Sequence, residues 1–141
     1  MGISQSVNLD RANTFTGGLF VHGGTIQLRH VNAANSNDVT VGPFGRLAIG
    51  AGTSAFPVPL GGLSGYGHVI AHWQTNGNYH VRLSPGSGVY TFDGRIANAD
   101  ANKILHVQKS GAGTQVFGPE SIGAYTGTTS VNAGTLLIHG D

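Results

Sequence analysis

Residues Phe15-Thr16-Gly17-Gly18-Leu19-Phe20-Val21-His22-Gly23-Gly24-Thr25-Ile26-Gln27-Leu28 decide the fold, because they occur twice. The second copy is Tyr125-Thr126-Gly127-Thr128-Thr129-Ser130-Val131-Asn132-Ala133-Gly134-Thr135-Leu136-Leu137-Ile138. With Phe15 aligned on Tyr125, five of 14 positions are identical and the apolar positions mostly correspond. In each copy an aromatic residue ends one strand and Thr16-Gly17 or Thr126-Gly127 makes a corner. A short strand then ends at Val21 or Val131. A tight turn follows, with Gly24 or Gly134 placed where positive φ is needed, and Thr25 or Thr135 opens an apolar strand. In a coil, such corners stack and each rung hydrogen-bonds to the next at ~4.8 Å. The turns of a β-sandwich have no need to repeat in this way.

Outside the two copies the apolar residues alternate in short bursts. Examples are Arg46-Leu47-Ala48-Ile49, Tyr79-His80-Val81-Arg82-Leu83 and Ile104-Leu105-His106-Val107. Period two marks half-buried strands, and Gly-Gly, Pro-Gly and Asp-Gly turns separate them. No stretch of ten residues has a helical period, and Val31–Asn37 reads as an Asn- and Ala-rich loop. The expectation is an all-β chain of about ten strands, each ~4–6 residues long. A sandwich or barrel also fits that many strands, but the internal repeat favours a solenoid. The whole chain, 1–141, reads as one domain, with a loop decoration near 51–62.

Composition agrees. Charged residues are 9% of the 141, against a usual ~25%. Gly is 24 of 141, while a hydrophobic fraction of 39% argues against disorder. Seven Lys and Arg against six Asp and Glu leave no nucleic-acid footprint. The absence of Cys excludes disulfides, thiolate metal sites and thiol catalysis. Apolar runs are too short for a membrane span. The start, Met1 to Ser6, has neither a charged nor an apolar leader region. Gly2 and Ser6 formally fit an acylation pattern, but this start is read as a start codon or the edge of an excised segment.

Lys109-Ser110-Gly111-Ala112-Gly113-Thr114-Gln115-Val116-Phe117, Ala124-Tyr125-Thr126-Gly127-Thr128-Thr129 and Val131-Asn132-Ala133-Gly134-Thr135-Leu136 follow one another in an order with a precedent. They resemble the autotransporter-associated β-strand repeat, also called the passenger-associated transport repeat. Ala12-Asn13-Thr14-Phe15-Thr16-Gly17-Gly18 is similar to its middle part, and Leu63-Ser64-Gly65-Tyr66-Gly67-His68-Val69 to its Gly-rich rungs. The clear matches lie at the two ends of the chain, and the middle is similar in texture. The resemblance implies a right-handed parallel β-helix, exported through the outer membrane of a Gram-negative bacterium and displayed on the cell surface or outside the cell. In that family the repeat aids export and folding, and specific functions sit in other passenger segments. This chain departs from the family in lacking a translocator barrel and in the His and aromatic content of its middle.

Catalytic chemistry finds little support. The acids are Asp10, Asp38, Asp93, Asp100, Glu120 and Asp141, and no two lie within six residues of each other. Polysaccharide-cleaving β-helices need clustered carboxylates. Ser84-Pro85-Gly86-Ser87-Gly88 only superficially resembles a nucleophile elbow. His68 and His72 are four apart, which on a strand places them ~13 Å from each other, too far to share a metal. His80 falls on the next burst. Tyr66, Trp73, Tyr79, Tyr90 and Phe92 read first as core or loop cover. A ligand surface built from Trp73, Tyr79, His68, His72 and His80 is the alternative. The expectation is no catalytic residue, no metal and no cofactor.

Three functions follow, in order of support. The first is a structural or adhesive solenoid scaffold, in contact with glycans or host surfaces. The second is a filament subunit that self-associates through open solenoid ends. The third is a carbohydrate-binding or carbohydrate-cleaving β-helix.

Overall fold

A computed structural model describes residues 5–72 and 74–139. The expectations placed on Met1, Gly2, Trp73 and Asp141 lie outside the described residues. Among the described residues there are fourteen strands and no helix. The coil opens with β1 (Ser6–Leu9) and β2 (Leu19–Leu28), followed by β3 (Val39–Ile49) and β4 (Val58–Leu60). The next rung is β5 (Leu63–Gly65), β6 (His68–Ala71) and β7 (Gly77–Leu83). The fifth is β8 (Val89–Phe92), β9 (Arg95–Ala97) and β10 (Lys103–Lys109). The sixth is β11 (Thr114–Phe117), β12 (Ile122–Ala124) and β13 (Thr129–Val131), after which β14 (Thr135–Ile138) begins another.

Every pairing between these strands is parallel. The result is a β-solenoid of about six turns. Three faces run along it. The first face stacks the leading parts of β2 and β3 with β5, β8, β11 and β14. The second stacks β1, the trailing parts of β2 and β3, β6, β9 and β12. The third is β4, β7, β10 and β13. β2 and β3 pass through a corner without interruption, at a register shift between Val21 and Gly23, so the first two faces form one bent sheet.

Inward positions alternate along each strand and stack from rung to rung. Val39, Val41, Leu47, Ile49, Leu60, Leu63, Leu83, Phe92, Leu105 and Val107 form one continuous buried column set. Each such side chain contributes roughly 1.5–3 kcal/mol on burial. The rungs are unequal. Ser6 lies beside Thr25 and His68 beside Arg95, and the second of these intervals of chain is the longer. The longer middle rungs accommodate outward loops. Within 51–62, residues 51–57 leave the coil with Phe56 exposed, while Val58–Leu60 form β4 and are buried. Val31–Asn37 is a turn-rich loop, as its composition suggests. Asn37 closes it, donating through Nδ2 to Phe15 O and Ala34 O.

Candidate functional site

The repeated corners come first. Gly24 has φ +68° and Gly134 φ +67°, which glycine adopts at least cost. The two copies nevertheless occupy different corners. Gly24 joins the first face to the second, and Thr25 pairs with Ser6 and Arg46. Gly134 joins the third face to the first, and Thr135 pairs with Thr114. The motif therefore specifies a bend rather than a fixed place in the rung. Val21 is buried, whereas Val131, on the last third-face strand, is half exposed. Gly17 has φ +100°, and Gly127 packs under His106. Thr126 bonds Asn98, which donates to its Oγ1 and accepts from its backbone N–H. Thr16 is exposed in the loop before β2.

Among the described residues two polar side chains, Lys109 and Gln115, are wholly without exposed surface. Lys109 is fully buried, in the inward row between Leu83 and Val131. Its Nζ donates to Ser110 O at 2.5 Å, Gly111 O at 3.0 Å and Ala133 O at 3.1 Å, and burial lowers its pKa. The amine thus ties the turn after β10 to the turn after β13. Gln115 is also fully buried. Its amide bonds both the N–H and the C=O of Leu63.

Among the described residues, the aromatic and His side chains do not form a common platform. Phe92 and Tyr79 are core residues, and Tyr79 donates its hydroxyl to Thr75 O at 2.6 Å. Burial raises the Tyr79 pKa, with Lys103 acting in the opposite sense. His72 is buried 6.1 Å from the Tyr79 ring, and burial, then the charge of Arg29, lowers its pKa. Tyr66 is exposed. Tyr90 donates its hydroxyl to Asp38 Oδ2 at 2.9 Å, a bond that raises its pKa. His68 stands on the second face and His80 on the third.

His80 stacks on His106, with ring centroids 4.2 Å apart and planes 10° apart. Their strands hold them in register. His106 Nδ1 accepts the Thr128 backbone N–H at 2.9 Å, so Nδ1 carries no proton and Nε2–H faces Asn78 Oδ1 at 2.9 Å. Burial, then the neighbouring His106, lowers the His80 pKa.

Three of the five described acids are engaged elsewhere, while Asp93 Oδ1 is buried without a hydrogen-bond partner. Asp10 pairs with Arg29 at 3.2 Å and Asp100 with Lys103 at 2.5 Å. The Lys103 amine and the Asn102 N–H hold the Asp100 carboxyl below its usual value. Asp38 Oδ1 accepts Gly62 N–H. Among the described residues no three His, Asp or Glu are grouped to hold a metal ion.

Two further surfaces escaped the sequence reading. On the second face, Arg46, His68 and Arg95 fall in one column. Its signal is Gly45-Arg46-Leu47, Gly67-His68-Val69 and Gly94-Arg95-Ile96, each a corner glycine, a cation and an inward apolar residue. At the last rung, a groove of about 400 Å³ is lined by Ile96, Phe117, Tyr125, Thr129 and Ile138.

This geometry defines a repeat protein of the parallel β-solenoid class. The family model described as Passenger-associated-transport-repeat matches residues 8–28 and 107–138. The matched stretches run from the end of β1 through β2 and from the end of β10 through β14, and the rungs between them continue the same coil. The match spans the segments whose order resembled the autotransporter repeat, and the fold fits an autotransporter passenger-like scaffold. Neither curated proteins nor solved structures give a match.

Proposed function

We propose that the chain is a non-catalytic structural segment of an autotransporter-type passenger, displayed outside a Gram-negative cell. One observation carries this reading. The transport repeat occupies both ends of a parallel ladder that runs from β1 to β14. In such a ladder each strand pairs with strands of the adjacent rungs. It can therefore be laid down rung by rung as a chain leaves a pore, each new rung templated by the one before. The engagement of Asp10, Asp38 and Asp100 supports a structural reading over a hydrolytic one. The adhesive part of the role belongs to the outward faces of the middle rungs.

The test fuses the chain ahead of a translocator barrel in a Gram-negative host and measures cleavage by external protease on intact cells. The expected result is a surface-displayed, folded chain. Retention of the folded chain inside the cell would overturn the reading.

A second reading, a self-associating subunit, is favoured by the last rung. The register of β13 and β14 makes Val131 and Ile138 core-facing, yet they are 52% and 57% exposed. Covering the exposed half of each, by a further rung of the same chain or of another copy, would contribute roughly 0.8–1.5 kcal/mol. Sedimentation across a hundredfold concentration range tests it: growth into longer species supports assembly, and a constant monomer rejects it.

A further inference from the structure

Arg46, His68 and Arg95 stand side by side on three successive rungs, and all three are exposed. Rungs lie ~4.8 Å apart, so the two arginines are ~10 Å apart along the axis. Among the described residues, the carboxylates that form ion pairs are Asp10 and Asp100, with Arg29 and Lys103. No described carboxylate or hydrogen bond engages the guanidinium of Arg46 or Arg95. Ten N–H donors with two fixed positive charges therefore face outward in one line. Arg46 and Arg95 both act on His68, adding to burial in holding its imidazole neutral. Beside the column runs a shallow groove of about 300 Å³, with Ile70, Ala97 and Ala99 as its apolar floor.

We propose that this column binds an acidic glycan, a chain of uronate or sulfated sugars lying along the solenoid axis. Its anionic groups meet the planar forks of Arg46 and Arg95, which match carboxylate and sulfate geometry. The apolar face of a sugar ring rests on Ile70. A nucleic acid fits less well. The column is a single row of cations on a chain of net charge +1, and the groove lining contains no Phe, Tyr or Trp for base stacking. A regular array of stacked rungs suits a ligand that is itself a regular linear polymer.

The test is calorimetric titration of the 141-residue chain at low ionic strength. The titrants are a sulfated oligosaccharide, an oligouronate, a neutral dextran oligosaccharide and a single-stranded oligonucleotide of matched charge. At least one acidic glycan should bind and the dextran should not. Arg46→Gln with Arg95→Gln should weaken that binding roughly tenfold or more, at unchanged melting temperature. Arg82→Gln, on the third face, should leave it unchanged. Which acidic glycan binds separates sulfate from carboxylate recognition. The proposal fails if neither acidic glycan binds or if the double variant binds as tightly as the parent. It also fails if Arg82→Gln costs as much, or if the oligonucleotide binds as well.

Discussion

The side-chain amide of Gln115 completes the hydrogen-bond ladder at Leu63, a residue 52 positions earlier in the chain and two rungs away. Oε1 accepts the Leu63 N–H at 2.8 Å, and Nε2 donates to the Leu63 carbonyl at 2.8 Å. The rung between them explains why a side chain is needed. β5 and β8 pair only at Gly65 and Phe92, so the backbone of Leu63 receives no strand partner from β8. Nε2 also reaches Tyr90 O at 3.3 Å. The amide acts as a one-residue piece of strand inside the core.

Gln115→Met keeps the volume and removes both bonds. Each buried group left unsatisfied costs about 1–3 kcal/mol. The expected result is a fall of at least that size in chemical-denaturation stability, with the strand spectrum retained. A midpoint unchanged from the parent would mean that water serves Leu63 instead.

Corner glycines yield a matched pair of substitutions. A Cβ on Gly94 would sit 2.0 Å from Gly67 O, and one on Gly45 would sit 2.2 Å from Val21 O. Both obstacles are backbone atoms of the preceding rung, which cannot step aside. A Cβ on Gly86 meets nothing within 4 Å, and Gly86 is not at positive φ. Gly94→Ala should therefore cost at least the roughly 1–3 kcal/mol of an overpacked core. Gly86→Ala should stay within about 0.5 kcal/mol. Thermal melts of the two variants check the contrast.

These features mark where the sequence is readable. Repetition at Thr16 to Thr25 and Thr126 to Thr135, with period-two bursts between, is enough to read a coil of parallel strands, because both signals are local. Strand number is not as legible: about ten were expected and fourteen are present among the described residues. Five strands, β4, β5, β9, β12 and β13, have three residues each and are too short to show alternation. Register is hidden as well, because rung length varies. Hence the sequence groups His80 with His68 and His72 in one candidate surface, whereas its ring stacks on His106. Gln115 and Lys109 did carry a signal, since each occupies an inward place in an alternating strand. What they bond depends on contacts between rungs, which no local pattern encodes.

Acid should loosen the middle of the solenoid. His68, His72 and His80 all have lowered pKa values, chiefly through burial. Arg46 and Arg95 add to the effect at His68, Arg29 at His72 and His106 at His80. A lowered folded value means that the unfolded chain binds protons more readily. The stability from these groups is therefore fully present above the usual imidazole value of about 6.5, and is lost as pH falls through the lower folded values. Melting temperature should be flat from pH 8 to 7 and decline below about 6.5. His80→Gln should reduce the decline, and a pH profile unchanged by that substitution would remove His80 from the account.

Lys109 gives a prediction that separates local from global stability. Its buried amine has no described carboxylate partner, and replacing a buried charge by an apolar side chain is often neutral overall. The freed carbonyls of Ser110, Gly111 and Ala133 belong to partly or fully exposed turn residues that water can reach. Lys109→Met should therefore change the global melt little. What it removes is the tie between the turn after β10 and the turn after β13. The amides of Asn132 and Thr135, which bond Lys109 O and Gly113 O, should lose hydrogen-exchange protection by roughly tenfold, as a local opening made easier. Amides of β3 and β6, several rungs away, should keep theirs. Equal loss along the whole coil would show that the lysine supports the core as a whole rather than the last rung.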